Sequence, residues 1–197
     1  KGLSRMVVNG CAEEDWPEVA ALAKAHPQVL SSFGYHPWFI HERTDNWENE
    51  LNLFLDAHPA AVGEIGLDRW KEGLEYEGQE EVFTAQLRIA AERNLPVNIH
   101  CLKAWGHLLE LLEQGPVPAC GFLLHSYGGS TEMIGPLAKL GAYFSFPGYY
   151  MHKAKGRQRE AFIQVPSDRL LIETDAPDQL LPEECQEHSL NDPEGNL

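Results

Sequence analysis

The chain has 197 residues and 43% hydrophobic content, enough for one well-packed domain but short of the roughly 250 residues of a complete eight-stranded α/β barrel. Its 30 acidic and 15 basic residues give a net charge of -15, which excludes attraction of nucleic acid through the overall field. Any phosphate-containing ligand must therefore be held by local positive charge or by bound cations.

Strand-like and helix-like segments alternate along the whole chain. The predicted strands are short, continuous and apolar, and they span residues 5–9, 29–34, 61–65, 97–100, 121–125, 142–146 and 170–173. The predicted helices span residues 15–25, 46–57, 79–93, 102–113, 131–140 and 158–163. Prolines stop a helix just before four of the strands, at Pro27, Pro59, Pro96 and Pro166.

Continuous apolar strands are typical of parallel strands that are covered on both faces. About seven βα units without a second composition zone predict a single domain over residues 1–197. A doubly wound sheet is the competing architecture, but it gathers ligands at one switch point. Here the candidate ligands come from strands spread along the chain, which favours an α/β fold of the (β/α)8 TIM-barrel type.

Four metal-ligand candidates close four of the predicted strands: Glu64, His100, His125 and Asp175. In a parallel barrel the carboxyl ends of all strands meet on one face, so distant residues converge there. Taken singly, each has a structural explanation, such as a capping carboxylate or a core histidine. Four independent structural roles, all at strand ends, are a less economical explanation than one shared metal site. Two imidazoles and two carboxylates suit a divalent hydrolytic centre.

Four segments, in this order and spacing, resemble the TatD family of metal-dependent deoxyribonucleases. They are Gly63–Asp68 (Gly-Glu-Ile-Gly-Leu-Asp), Leu95–His100, His125–Ser130 and Leu171–Pro177. The turn Gly34-Tyr35-His36-Pro37 is similar to the family's Gly-x-His-Pro turn. The resemblance covers essentially the whole chain. It implies an amidohydrolase-type TIM barrel that hydrolyses DNA phosphodiester bonds with divalent metal ions, two of them, of the Mg, Mn or Zn type.

The resemblance also implies a role for each candidate. Glu64 would be a catalytic carboxylate that bridges two metals, and His100 and His125 would be ligands of one metal. Asp175 would bind the other metal and orient the attacking water as the second catalytic residue. From the residues themselves, His36 is expected to contact substrate, although it could equally be a turn residue that supports the site. Lys153, which follows the strand at 142–146, is expected to contact a phosphate. Paired cations neutralise a phosphodiester, so no strongly basic surface is required.

The chain departs from the family pattern in three ways. It contains no His-x-His motif, which in the family ends the first strand and supplies two metal ligands. We expect the barrel's first strand to lie upstream of Lys1 and its last helix to lie beyond Leu197, so that this chain lacks both. Leu102, beside Lys103, stands where the family commonly has an arginine.

Two other functions remain open at this level. An amidohydrolase-type enzyme could cleave a small-molecule amide or ester with the same centre, because barrel loops change the substrate without changing the site. The second alternative is a non-catalytic binding protein that has lost the His-x-His ligands. For Trp38, Trp70 and Trp105, stacking on bases competes with ordinary packing.

Four widely spaced cysteines without a Cys-x-x-Cys pair argue against a disulfide framework and for a reducing compartment. No apolar run approaches the roughly 20 residues of a membrane span, and no signal-peptide pattern opens the chain. We therefore expect a cytoplasmic protein, and no membrane partner is implied. DNA is the substrate that the resemblance implies, and no protein partner is implied.

Overall fold

A computed structural model of the chain describes residues 3–186. The chain forms two compact units, one ending at Leu123 and the other beginning at Leu124. Seven strands alternate with six α-helices in the described residues, in the order that the sequence predicts. Within the same range, no helix combines the length and apolar character needed to cross a bilayer.

The first unit contains four strands that pair in parallel with their neighbours in the sequence. Its strands are β1 (Met6–Asn9), β2 (Val29–Phe33), β3 (Ala60–Asp68) and β4 (Val97–Leu102). Its helices are α1 (Trp16–Ala25), α2 (Trp47–Ala57), α3 (Tyr76–Arg93) and α4 (Trp105–Gln114). The order β1-β2-β3-β4 has no reversal, whereas a doubly wound sheet reverses at its switch point. The parallel α/β organisation is therefore confirmed.

Helix α3 has one apolar face, and it is buried. Five side chains on it are at most 5% exposed: Val82, Phe83, Leu87, Ile89 and Ala90. Their spacing follows the helical period, so one stripe of α3 packs into the core. Helix α3 is thus the central packing element of this unit.

Two glutamines on the same buried face of α3 hold the backbone on which the site is built. Gln86 accepts a hydrogen bond from the Tyr35 amide at 2.7 Å and donates to the Tyr35 carbonyl at 3.2 Å. Gln79 does the same for Asp68, at 2.8 Å and 3.1 Å. The two lie two helical turns apart and so face the same side. Because an unmatched buried amide is costly, each glutamine fixes the backbone segment opposite it.

β3 and β4 run past their predicted ends, which corrects the predicted placement of Glu64 and His100. Both residues lie inside their strands instead of at the mouths. The pairing of β3 with β4 shifts just before Ile65 and then continues to the end of β3. Gly63 and Gly66 flank the site carboxylate with φ of 155° and 150°. Such backbone favours glycine, and it lets the strand bulge and then resume pairing.

The second unit repeats the parallel organisation. The boundary between the units falls within β5 (Phe122–Leu124), and after it come α5 (Thr131–Lys139), β6 (Ala142–Pro147), α6 (Gly156–Phe162) and β7 (Leu170–Glu173). β6 and β7 are parallel. Tyr127 packs edge-on against Phe144, and Phe146 against Phe162, with ring centroids 5.0 Å apart in both pairs. The single domain over residues 1–197 stays a prediction, and residues 1–2 and 187–197 lie outside the described part.

Gly66 marks the closest approach of β3 to β4. A Cβ at this position would lie 1.9 Å from the His100 carbonyl oxygen. Gly66→Ala is therefore expected to lower the free energy of unfolding by about 3 kcal/mol or more, because the backbone must move and the positive φ is strained. Urea unfolding measures the change.

Gly106→Ala is the matched control, since a Cβ at Gly106 in α4 would meet no heavy atom within 4 Å. It is expected to leave the stability unchanged or to raise it by up to about 1 kcal/mol. Equal stability of the Gly66→Ala protein and the wild type would contradict the close approach.

Candidate metal centre

Glu64 is the centre of a buried polar group in the first unit. Its Oε1 lies 3.3 Å from His36 Nε2 and 3.2 Å from His100 Nδ1. All three residues are at most 9% exposed. One ligand atom from each lies within 4.8 Å of the others. The structure thus places two of the predicted ligands, Glu64 and His100, side by side, and adds His36 to them.

His36 is placed by the turn that follows β2. Its amide donates to the Cys11 carbonyl at 2.9 Å, and the preceding residue, Tyr35, is the one that Gln86 holds. The turn also requires Gly34, because a Cβ there would lie 2.8 Å from the Ile65 side chain. The imidazole is therefore directed inward by backbone contacts on both sides.

The hydrogen bonds of His36 determine where its proton lies. The Trp38 amide donates to His36 Nδ1 at 3.2 Å. A neutral imidazole has one donor and one acceptor nitrogen, so the proton of His36 is on Nε2, the atom that faces Glu64. A protonated Nε2 cannot ligate a metal, but it can donate to an anion. This arrangement suits the substrate contact predicted for His36 better than a ligand role.

His100 has the opposite arrangement. Its Nε2 lies 3.1 Å from Asp68 Oδ2. An ionised carboxylate only accepts hydrogen bonds, so this contact requires the proton on Nε2. In the neutral imidazole, Nδ1, the atom beside Glu64, is then the unprotonated nitrogen and can act as a metal ligand.

Asp68 is completely buried and anionic. Oδ2 accepts from the Trp38 indole at 2.6 Å, and Oδ1 accepts from the amides of Trp70 and Lys71 at 2.7 and 3.0 Å. Burial acts to raise the pKa of Asp68, but the hydrogen bonds from His100, from these amides and from the indole outweigh it. The pKa of Asp68 therefore lies well below its usual value, and the group is a carboxylate at neutral pH.

The Glu64–His100 pair fits a divalent cation. Metal bonds of about 2.1 Å that meet at about 90–109° place two ligand atoms about 3.0–3.4 Å apart. The 3.2 Å between Glu64 Oε1 and His100 Nδ1 lies in this range. A carboxylate oxygen and an imidazole nitrogen are ligands for Mg, Mn or Zn ions.

The neighbouring thiol does not join this donor set. Cys101 follows His100 in β4 and is 3% exposed. Successive side chains of a strand point to opposite faces, so the thiol points away from the imidazole. Burial raises the pKa of Cys101. It is therefore a packed, protonated side chain, as its small apolar character suggests.

The second unit has its own group of site residues, around His125 after β5. His125 Nδ1 lies 3.8 Å from Glu173 Oε1 and 3.8 Å from Asp175 Oδ1. Glu173 accepts hydrogen bonds from the hydroxyls of Ser126 and Ser145. Burial acts to raise the pKa of Glu173, but the bond and charge of His125 and the two hydroxyls outweigh it, so the pKa is lowered.

Asp175 is held in an uncommon backbone conformation, with φ of 55°. The Gln179 side-chain amide donates to Asp175 Oδ2 and, at 2.7 Å, to the Ser126 hydroxyl. Ser126 is fixed in turn by Tyr150, whose hydroxyl donates to the Ser126 carbonyl at 2.6 Å. The loop that carries Asp175 is thus tied to the loop that carries His125. Shared coordination by all four predicted ligands stays a prediction.

Lys153 is exposed and lines an open groove together with Glu183 and Glu184. The two carboxylates offset its charge, which weakens this position as a phosphate contact. Arg159, in α6 after Lys153, donates to two backbone carbonyls at 2.5 and 2.7 Å. Its contacts are therefore those of a structural residue.

The tryptophans differ in exposure. Trp38 packs beside the site, and the Lys71 ammonium lies 4.0 Å from the centre of its ring. Trp70 is 56% exposed, and its neighbours Arg69 and Lys71 are exposed as well. Trp105 begins α4 and is partly buried. Of the three, Trp70 is the one most accessible to a base.

Sequence reasoning gave no role to Asp68 or Glu173, although both stand inside the motifs that it used. For Asp68 the missed signal was its even spacing from Glu64, four residues earlier in β3. Even separations place side chains on the same side of a strand. For Glu173 there was no such signal, because Asp175 follows the end of β7 with φ of 55°.

Comparison with known proteins agrees with this geometry. The sequence model of the family "TatD related DNase" matches residues 1–194. The 3'-5' ssDNA/RNA exonuclease TatD of Escherichia fergusonii is 35% identical over 187 residues, which cover 92% of this chain and 70% of that protein. The uncharacterized metal-dependent hydrolase YjjV of Escherichia coli K12 is 29% identical over 183 residues, covering 91% of this chain and 70% of that protein.

Solved structures show the same relationship. The crystal structure of YjjV, a TatD homologue from Escherichia coli K12, matches with a TM-score of 0.86 and 29% identity, over 92% of this chain and 71% of that one. A TatD family hydrolase from Entamoeba histolytica matches with a TM-score of 0.82 and 21% identity, over 95% and 67% of the two chains. At 21% identity, the match to the Entamoeba histolytica protein shows a shared fold and no more.

The parallel β/α order, the buried carboxylate–imidazole group and these relatives define a metal-dependent hydrolase of the TIM-barrel type. The chain belongs to the TatD related DNase family.

If the Glu64–His100 pair binds a metal ion, the ion should stabilise the fold. Mn²⁺ at 100 times its dissociation constant is expected to raise the free energy of unfolding by about 2.7 kcal/mol. Glu64→Gln should lose this increment, because an amide replaces the ligand carboxylate. Urea unfolding with and without Mn²⁺ measures it.

Glu48→Gln is the matched control, since Glu48 is exposed and pairs with Arg88 at 3.3 Å. It should keep the increment. An equal increment in the Glu64→Gln protein and the wild type would show that the ion binds elsewhere.

Proposed function

We propose that the protein hydrolyses phosphodiester bonds of DNA, with a water molecule activated at a divalent-metal centre. The observation that carries the proposal is the buried Glu64–His100 pair, with Asp68 fixing the far side of the imidazole. His125 and Asp175 are proposed as further metal ligands, on the resemblance and on their closeness within the second unit.

The relatives support a nucleic-acid substrate. Several of them bear the name of a 3'-5' ssDNA/RNA exonuclease, so single-stranded DNA and RNA are both to be tried. The exposed run Arg69-Trp70-Lys71 directly follows Asp68 and offers two cations and an indole. Cations can contact phosphates, and an exposed indole can stack on an unpaired base. In a chain with a net charge of -15, such local groups must supply the attraction.

We propose two ions of the Mg, Mn or Zn type, the number being the one that the resemblance implies. Imidazole ligands suit Zn, whereas carboxylate ligands suit Mg and Mn. A bound divalent cation supplies Lewis-acid activation and neutralises charge on the phosphate. We also propose Lys153 as a phosphate contact. Glu183 and Glu184 share its groove and would weaken that contact.

The chain's own residues would divide the remaining work. Glu64 and His100 present an oxygen and Nδ1 as ligand atoms. His36 would hold its Nε2 proton beside Glu64, where a non-bridging phosphate oxygen could accept it in place of that carboxylate. Asp175 accepts a hydrogen bond from the attacking water and takes its proton on a carboxylate oxygen.

A small-molecule amidohydrolase and a non-catalytic binding protein receive less support, because the relatives are named as nucleases and hydrolases. We also propose that the protein resides in the cytoplasm. Its four cysteines are free thiols, two of them exposed, which suits a reducing compartment.

The decisive assay is degradation of a labelled single-stranded oligonucleotide, as DNA and as RNA, by the full-length protein with Mg²⁺ or Mn²⁺. Cleavage is expected to stop when a chelator is added. Asp175→Ala should lower the rate at least about 100-fold, because the attacking water loses its general base.

Asp56→Ala serves as the control, since Asp56 is an exposed residue that pairs with Arg93. It should cleave at the wild-type rate. Undiminished cleavage by the Asp175→Ala protein, or no cleavage of any nucleic acid by the metal-loaded wild type, would favour the small-molecule hydrolase.

A further inference from the structure

Asp68 stands outside the predicted ligand set, yet it is the most completely hydrogen-bonded carboxylate near the site. Its side chain is fully buried. Two donors face Oδ2, the indole of Trp38 at 2.6 Å and His100 Nε2 at 3.1 Å. Two backbone amides face Oδ1. The indole and the two backbone amides can only donate, so they favour the ionised carboxylate, and an ionised carboxylate accepts from His100 Nε2.

Asp68 is also held rigidly. Gln79 binds both its amide and its carbonyl, and the two amides on Oδ1 come from the turn that follows β3. Turning the side chain away from His100 would break several of these bonds in a buried place. The acceptor beside His100 Nε2 is thus fixed before any metal arrives.

We propose that Asp68 is a positioning residue that keeps the proton of His100 on Nε2 and thereby reserves Nδ1 for the metal ion beside Glu64. The proposal rests on the metal centre proposed above and is independent of the substrate. A carboxylate on the distal nitrogen of a ligating histidine fixes both the tautomer and the orientation of the ring.

The neighbouring ring shows why such a device is needed. His36 and His100 lie with ring centroids 4.5 Å apart, and both present a nitrogen to the same oxygen of Glu64. The Trp38 amide on His36 Nδ1 directs a proton toward Glu64, whereas Asp68 directs the His100 proton away from it. One carboxylate oxygen thus meets one donor and one lone pair. Asp68 thus sets the position of the His100 proton, as the Trp38 amide sets that of the His36 proton.

Asp68→Asn tests the proposal with an almost unchanged shape. With its carbonyl oxygen kept on the two backbone amides, the new amide group would face the donors of His100 and Trp38. The Nε2 proton then has no acceptor, and the tautomer with the proton on Nδ1 is favoured. Zn²⁺ affinity, measured by calorimetry on the full-length protein, is expected to fall about 10- to 100-fold.

A second readout is independent of affinity. In the wild type labelled with ¹⁵N-histidine and saturated with Zn²⁺, His100 should show a slowly exchanging proton on Nε2 and a metal-bound Nδ1. In the saturated Asp68→Asn protein this proton should exchange freely. Neither the Zn²⁺ affinity nor the histidine spectrum depends on nucleic acid. Failure of the nuclease proposal would therefore leave both results unchanged, whereas a wrong role for Asp68 would change them.

Two control variants separate positioning from general disturbance. Trp38→Phe removes another donor from Oδ2 but keeps the carboxylate, so the His100 Nε2 proton should persist. Asp56→Asn makes the same chemical change at an exposed position and should leave the Zn²⁺ affinity unchanged. Circular dichroism checks that each variant is folded.

Three outcomes would overturn the proposal. They are wild-type Zn²⁺ affinity in a folded Asp68→Asn protein, loss of the Nε2 proton in Trp38→Phe to the same degree, and a wild-type spectrum with the metal on Nε2 of His100. The wild-type spectrum needs no variant, so it tests the proposal even if the Asp68→Asn protein does not fold.

Discussion

The buried amides of α3 are the constraint on which the first unit depends. Gln79 and Gln86 lie in the same stripe as the apolar residues that pack into the core, and each binds both polar groups of one residue in the β-layer. The residues that they hold are Asp68 itself and Tyr35, the neighbour of His36. A shift of α3 would therefore break buried hydrogen bonds and displace the site at the same time. The position of α3 that packs the core is therefore also the position that sets the geometry of the metal centre.

Each predicted ligand histidine has a carboxylate near it that the ligand set did not include. Asp68 lies against His100, and Glu173 lies 3.8 Å from His125. Burial would favour the neutral acid in both cases, yet hydrogen bonds lower the pKa of both groups. The two units thus each keep an anion beside an imidazole, fully buried for Asp68 and partly buried for Glu173. A concentration of negative charge away from water is favourable only with compensating donors or a cation.

The sequence predicted the number, order and type of the elements, because apolar continuity and helical spacing are local properties. It did not predict that β3 continues past Ile65 to Asp68, since the bulge depends on Gly63 and Gly66 meeting β4, a contact between distant segments. The sequence also could not predict which nitrogen of His36 and of His100 carries the proton. These proton positions follow from acceptors and donors that only the folded chain brings to the two rings.

The position of Cys101 has a consequence for which metals the centre admits. A thiolate next to a ligand histidine would draw copper and other thiophilic ions, which bind most ligand sets more strongly than magnesium or manganese do. The strand turns this sulfur to the opposite face, and burial keeps it protonated. The Cys101 sulfur is thereby kept out of the donor set that Glu64 and His100 provide. The alternation of one β-strand thus removes a soft ligand that would favour thiophilic ions at this position.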